Sequence, residues 1–182
     1  MNRFLFLLLL PALLLACADS TAQTENATNT GISTPAELAA EHAEAPANSD
    51  TEFADAMTDK VFQNYLHLRS ALVNSDAGDA ATAASNMAEG FGVERADLKN
   101  LAQQIASTND LAQQRSTFAT LTMELESLFT DGITGGTMYK LHCPMAFDGQ
   151  GADWYSEVAE VRNPYYGQKM LTCGSVTEEI TK

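Results

Sequence analysis

EFADAMTDKVFQNYLHLRSALV, residues 52–73, is the stretch whose reading decides the fold. Phe53, Met57, Val61, Tyr65, Leu68 and Leu72 recur every three or four positions and make one apolar stripe along an α-helix. Thr51 or Asp50 can cap its start. The helix runs out at Asn74-Ser75-Asp76, where Asp76 stands ready to cap a second one. That second helix is alanine-rich and aligns Ala80, Ala84, Met87 and Phe91, with Gly90 and Gly92 at its end. A third, from Glu94 to about Ser107, aligns Leu98, Leu101 and Ile105. Asn109 or Asp110 opens a fourth, which aligns Leu111, Phe118, Leu121, Leu125 and Leu128 and stops at Asp131-Gly132. Short connections favour antiparallel neighbours.

After Gly132 the helical period is lost. In Met138 to Cys143, Tyr139, Leu141 and Cys143 alternate with Lys140 and His142, which predicts a short strand ended by Pro144. Asp148 to Asp153 reads as loop, Trp154-Tyr155-Ser156 as the start of a helical turn, and Asn163-Pro164-Tyr165-Tyr166-Gly167 as a turn carrying two rings. Lys169 to Cys173 is a strand or a last helical turn, ended by Gly174. The expected fold is therefore mainly α. It is an up-and-down four-helix bundle over residues 52–182, with a tail of short strands and loops, residues 132–182, packed on it.

The N-terminus speaks to location. Arg3 is the one charge before a run from Phe4 to Leu15 that is too short to span a bilayer, which takes about 20 residues. Basic head, apolar stretch and small residue make a secretory signal over residues 1–17. Leu14-Leu15-Ala16-Cys17 resembles the lipobox of bacterial lipoproteins, which implies lipidation at Cys17 and a mature chain anchored to the membrane by lipid. The expected location is the bacterial cell envelope, facing the periplasm or the cell exterior. Residues 18–51 lack Lys, Arg and aromatic rings and read as a disordered tether.

The chain carries 24 acidic against 10 basic residues, a net charge of −14. That excludes nucleic acid as a partner, since its phosphates call for basic patches. Enzyme chemistry finds no foothold either. There is no Cys-X-X-Cys, no phosphate-cradling glycine loop and no zinc-protease helix motif, and the three histidines (His42, His67 and His142) offer no Ser/His/Asp arrangement.

Two short clusters near the C-terminus carry the chemistry: His142-Cys143-Pro144-Met145 and Met170-Leu171-Thr172-Cys173-Gly174. Each pairs a thiol with a thioether, and such ligands select soft ions, above all Cu(I) and equally Ag(I). Cys143 and Met145 lie two apart across a proline, so a turn can aim both at one point. Met170 and Cys173 share a face only if their segment is helical or tightly turned. The candidate metal ligands are thus Cys143, Met145, Met170 and Cys173, with His142 a weaker one because it points away on the strand. The competing reading is a structural disulfide between Cys143 and Cys173, natural in an oxidising compartment, with the methionines as core fillers. A third is a reversible couple in which only the reduced pair takes metal.

Longer motifs point to a family. Cys143-Pro144-Met145-Ala146, Gly151-Ala152-Asp153-Trp154-Tyr155-Ser156, Arg162-Asn163-Pro164-Tyr165-Tyr166-Gly167 and Lys169-Met170-Leu171-Thr172-Cys173-Gly174 resemble the tail of domain of unknown function 3347. Tyr65-Leu66-His67-Leu68 and Ala71-Leu72-Val73-Asn74-Ser75-Asp76 are similar to that family's opening motif. The family occurs as free-standing secreted or lipid-anchored proteins, and fused to periplasmic adaptor subunits of copper/silver efflux pumps. The resemblance implies metal handling beside efflux adaptor or pump components. The alternative from the residues alone is a non-catalytic protein interaction domain stapled by Cys143 and Cys173.

Overall fold

The computed structural model describes residues 49–182; Cys17, the expected signal segment and the expected tether up to residue 48 lie outside the described residues. In chain order the elements are β1 (Glu52–Phe53), α1 (Ala56–Val73), α2 (Ala77–Gly90), α3 (Ala96–Ala106), α4 (Leu111–Gly132), β2 (Ile133–Gly135), β3 (Thr137–Cys143), β4 (Ala152–Ser156) and β5 (Ser175–Thr181). A 3₁₀ turn, Val93–Arg95, leads into α3, and another, Gly167–Met170, lies between β4 and β5. A four-residue turn, Ala146–Gly149, joins β3 to β4 with Phe147 and Asp148 at φ 52° and 59°. The described part is mainly helical, with short antiparallel strands towards the C-terminus. Among the described residues no helix is long and apolar enough to cross a membrane.

Three of the long helices begin where an aspartate can accept from the first, otherwise orphaned N–H groups. Asp76 accepts from the Asp79 N–H at 2.9 Å, and Asp110 from the Ala112 N–H at 2.8 Å, both as the sequence leads one to expect. The first helix starts later than its stripe suggests, and its cap is Asp55 rather than Thr51 or Asp50. Asp55 accepts from the Thr58 N–H at 2.9 Å and from the Thr58 hydroxyl at 2.8 Å. Glu52 and Phe53 instead form β1, paired with Gly135 and Ile133 of β2. Phe53 still packs on Phe62 (5.0 Å) and Phe129 (5.9 Å), so it belongs to the stripe without belonging to the helix. Thr51 is buried and donates its hydroxyl to the Thr137 carbonyl at 2.8 Å, which ties the residue before β1 to the start of β3.

The stripes become the core. Val61, Tyr65, Leu68 and Leu72 of α1, Ala80, Ala84 and Met87 of α2, and Phe118, Leu121 and Leu125 of α4 are fully buried. Each large side chain so buried contributes about 1.5–3 kcal/mol. Consecutive helices pack on one another, and α1 also meets α4.

A three-stranded antiparallel sheet in the order β4-β3-β5 lies between these helices and the tail. Residues opposite each other across a strand pair share a face. Lys140 with Tyr155 and His142 with Asp153 look towards the helices, where Tyr155 meets Phe129 edge-on at 5.7 Å and the Lys140 Nζ reaches Glu126 at 2.7 Å. Leu141 with Trp154 and Cys143 with Ala152 look the other way, and Trp154 is met by Tyr165 of the tail at 6.1 Å. Trp154 and Tyr155 therefore stand in a strand, not at the start of a helical turn. Both faces of β4 bury a ring here, which removes the apolar–polar alternation that marks a strand in sequence. Strands β2 and β5 add pairing that the sequence reading did not contain.

Candidate functional site

Cys143 ends β3, the central strand, and is fully buried on the tail face of the sheet. Cys173 comes from the turn that follows Gly167–Met170 and is half-buried. Their Sγ atoms lie 3.1 Å apart, although 30 residues separate them in the chain. The segment carrying Met170 and Cys173 is tightly turned, with the Cys173 N–H donating to the Met170 carbonyl at 3.0 Å. That is the shape a shared use of both residues requires.

Two residues absent from the sequence-level site hold this approach. Asn163 is fully buried: its Nδ2 donates to the Cys173 carbonyl at 2.7 Å, while its Oδ1 accepts from the Tyr165 and Tyr166 N–H groups at 2.8 and 3.2 Å. An Asn before Pro that bonds the backbone two residues on is an Asx turn, a signal present in the sequence. Gly174 sits at φ +140°, and a Cβ there would come within 2.8 Å of both the His142 carbonyl and the Trp154 ring. Only glycine lets the tail pass this close to β3. The rings complete the clamp. Tyr165 packs on Trp154 and on Phe118 of α4 (6.0 Å), and its hydroxyl donates to the Asp153 carbonyl. These rings are consumed by packing, which leaves no open aromatic platform at Trp154, Tyr155 or Tyr165.

The methionines are placed differently from the thiols. Met145 is 53 % exposed, and its carbonyl accepts from the Tyr166 hydroxyl at 2.6 Å. Met170 is half-buried at the end of its turn. His142 stands on the other face of the sheet, with Nδ1 2.6 Å from Asp153 Oδ1. His67, on α1, is bound by Asp79 at 3.0 Å and is a satisfied helix residue. The structure thus brings Cys143 and Cys173 together, turns His142 away and leaves the Met145 side chain open to solvent.

Chemically, the pair is a dithiol. The neighbouring Cys143 thiol, then burial, pushes the Cys173 thiol above its ordinary value of 9.0. Metal uptake or oxidation at this pair must therefore release protons, since the thiolate is the reactive and ligating form. Two sulfurs on a turn and a strand end fit a soft ion, which metal–sulfur bonds of about 2.3 Å would hold after a small outward shift of the turn. Among the described residues no group of three or more His, Cys, Asp or Glu side chains is placed to hold a metal ion.

No curated protein and no solved structure matches the chain. The model of a family described as protein of unknown function (DUF3347) matches residues 61–134, which run from α1 into β2 and stop short of the thiol-bearing tail. Over those residues the chain is similar to the DUF3347 family.

Proposed function

We propose that this chain is a lipid-anchored protein of the bacterial cell envelope that binds Cu(I) or Ag(I) through Cys143 and Cys173, in support of metal efflux or homeostasis. One observation carries the reading: two thiols from distant segments meet at 3.1 Å, each with a methionine two or three residues away. The thioethers of Met145 and Met170 join as further ligands when a metal draws them in. The protein is read as a binding module, not an enzyme. The anchor rests on Leu14-Leu15-Ala16-Cys17, and the efflux setting on the resemblance of the tail to a family that also occurs fused to efflux adaptor subunits. We read the four long helices as an up-and-down bundle. Consecutive helices pack together and the first meets the fourth, which supports that reading.

The same distance favours a second reading, a structural Cys143–Cys173 disulfide in a non-catalytic interaction domain. The sulfurs would close by about 1 Å to bond, and the crosslink would stabilise the fold by roughly 3–4 kcal/mol in the chain-entropy model. Thiol titration of a Cys17→Ser full chain separates the two. Metal binding expects two titratable thiols, both protected by one equivalent of Cu(I). A structural disulfide expects none without reductant, and no copper retained after reduction.

A further inference from the structure

The two thiols are unequally reachable. Cys143 is fully buried at the end of the central strand, whereas Cys173, on the tail turn that covers it, is half-buried and so partly open to solvent. Their Sγ atoms lie 3.1 Å apart. The Cys173 backbone is pinned on both sides: its N–H donates to the Met170 carbonyl at 3.0 Å, and its carbonyl accepts from the buried Asn163 Nδ2 at 2.7 Å. Gly174 next to it lets the turn lie against the His142 backbone and the Trp154 ring. Cys173 cannot swing away from Cys143 without breaking these contacts. One reachable sulfur fixed over one covered sulfur is what a dithiol needs to react in two ordered steps.

We propose that the pair is a thiol–disulfide exchange site for low-molecular-weight disulfides, with Cys173 the entering sulfur and Cys143 the resolving one, and that its oxidation gates metal uptake. First, the Cys173 thiolate attacks one sulfur of the incoming disulfide. A mixed disulfide forms on Cys173, and the other half leaves as a thiolate that takes up the proton Cys173 gave up. Cys143, 3.1 Å away, then attacks Cys173 Sγ, and its proton passes to the second leaving thiolate. The incoming disulfide is reduced by two electrons to two thiols, and the pair is oxidised by two electrons to the Cys143–Cys173 disulfide. Attack from the buried side sends the leaving thiol outward to solvent. Access sets the order, because Cys143 is reached from outside only when the tail lifts. The partial opening at Cys173 suits a small disulfide better than one held on a folded partner. A disulfide offers no thiolate to a metal, so only the reduced pair takes Cu(I) or Ag(I). This gating rests on the metal-binding reading, whereas the exchange stands without it.

The test treats the reduced Cys17→Ser full chain with bis(2-hydroxyethyl) disulfide, quenches with acid and maps the products by mass spectrometry. The expected product is the Cys143–Cys173 disulfide, with no accumulating adduct. Cys143→Ser, or Cys143→Ala where serine disturbs the core, should stop at a single adduct on Cys173, formed at the parental rate. Cys173→Ser should react at least about tenfold more slowly. The oxidised parent should take up no Ag(I), and reduction with dithiothreitol followed by its removal should restore uptake. A chain that exchanges but binds no Ag(I) in either state supports the exchange and refutes the metal reading. A chain that binds Ag(I) yet forms no disulfide, accumulates an unresolved adduct in the parent, or is modified at Cys143 as fast as at Cys173 overturns the proposal.

Discussion

Replacing Asn163 with alanine should unlatch the tail from the thiol pair. The side chain makes three hydrogen bonds from a fully buried position, to the Cys173 carbonyl (2.7 Å) and from the Tyr165 and Tyr166 N–H groups (2.8 and 3.2 Å). A buried polar group left without its partner costs about 1–3 kcal/mol. Cys173 and Tyr166 are half-buried, so water recovers part of the loss, and about 3 kcal/mol is the working figure for all three bonds together. At 1.4 kcal/mol per decade, that raises the open population of the tail about a hundredfold. Cys143 is fully buried beneath this turn, so a thiol reagent reaches it only when the tail lifts. The assay is the alkylation rate of Cys143 in reduced protein, followed by mass spectrometry. An acceleration of about a hundredfold is expected, with a smaller loss in global stability. A rate within about twofold of the parent would show that Asn163 does not latch the tail, and the account of how the sulfurs are held would be wrong.

Three further outcomes follow from the packing. Tyr65→Phe removes a buried hydroxyl that accepts from the Tyr155 N–H at 3.0 Å and bonds Thr122 at 3.0 Å; urea unfolding should show a loss of about 1–3 kcal/mol, and no loss would mean the hydroxyl does not join α1 to β4. Glu157→Gln removes the charge of the carboxylate buried beside Arg69 at 3.1 Å, for a loss of about 3–5 kcal/mol, while Arg69→Met with Glu157→Leu should restore much of it; equal losses in both would contradict a desolvation origin. The raised Cys173 thiol makes stability fall as pH climbs from the ordinary thiol value of 9.0 upward, because the neutral form is the one the fold favours; unfolding curves from neutral to alkaline pH should show this slope, and Cys173→Ser should flatten it.

Much of the helical part was legible because burial there is one-sided. Where one face of a helix is apolar, a period near 3.6 survives in the sequence, and Asp76 and Asp110 announce their caps directly. Phe53 shows how the same signal overreaches: its phase matches the helix, yet backbone pairing with Ile133 claims it first. Trp154 and Tyr155 were unreadable for the opposite reason, since the sheet is covered on both sides and neighbouring rings are both buried. In β5 only Ile180 is buried, so Ser175 to Thr181 carries almost no apolar pattern and its pairing with β3 is settled by tertiary contact.

The site was legible in composition but not in geometry. Soft-ligand residue types at Cys143, Met145, Met170 and Cys173 could be named from the sequence; that the two thiols meet and that Met145 faces solvent could not. His142 illustrates the limit well. Strand alternation correctly turned it away from Cys143, but its pairing with Asp153 depends on cross-strand register, which no local pattern encodes.

X-ray absorption at the copper edge of the reduced, Cu(I)-loaded chain tests the central claim most directly, with Cys17→Ser to restrict the thiols to the tail. The account predicts a first shell containing at least two sulfur neighbours, lost on Cys143→Ser or Cys173→Ser alone. A first shell of nitrogen and oxygen only, or one unchanged by either substitution, would contradict it.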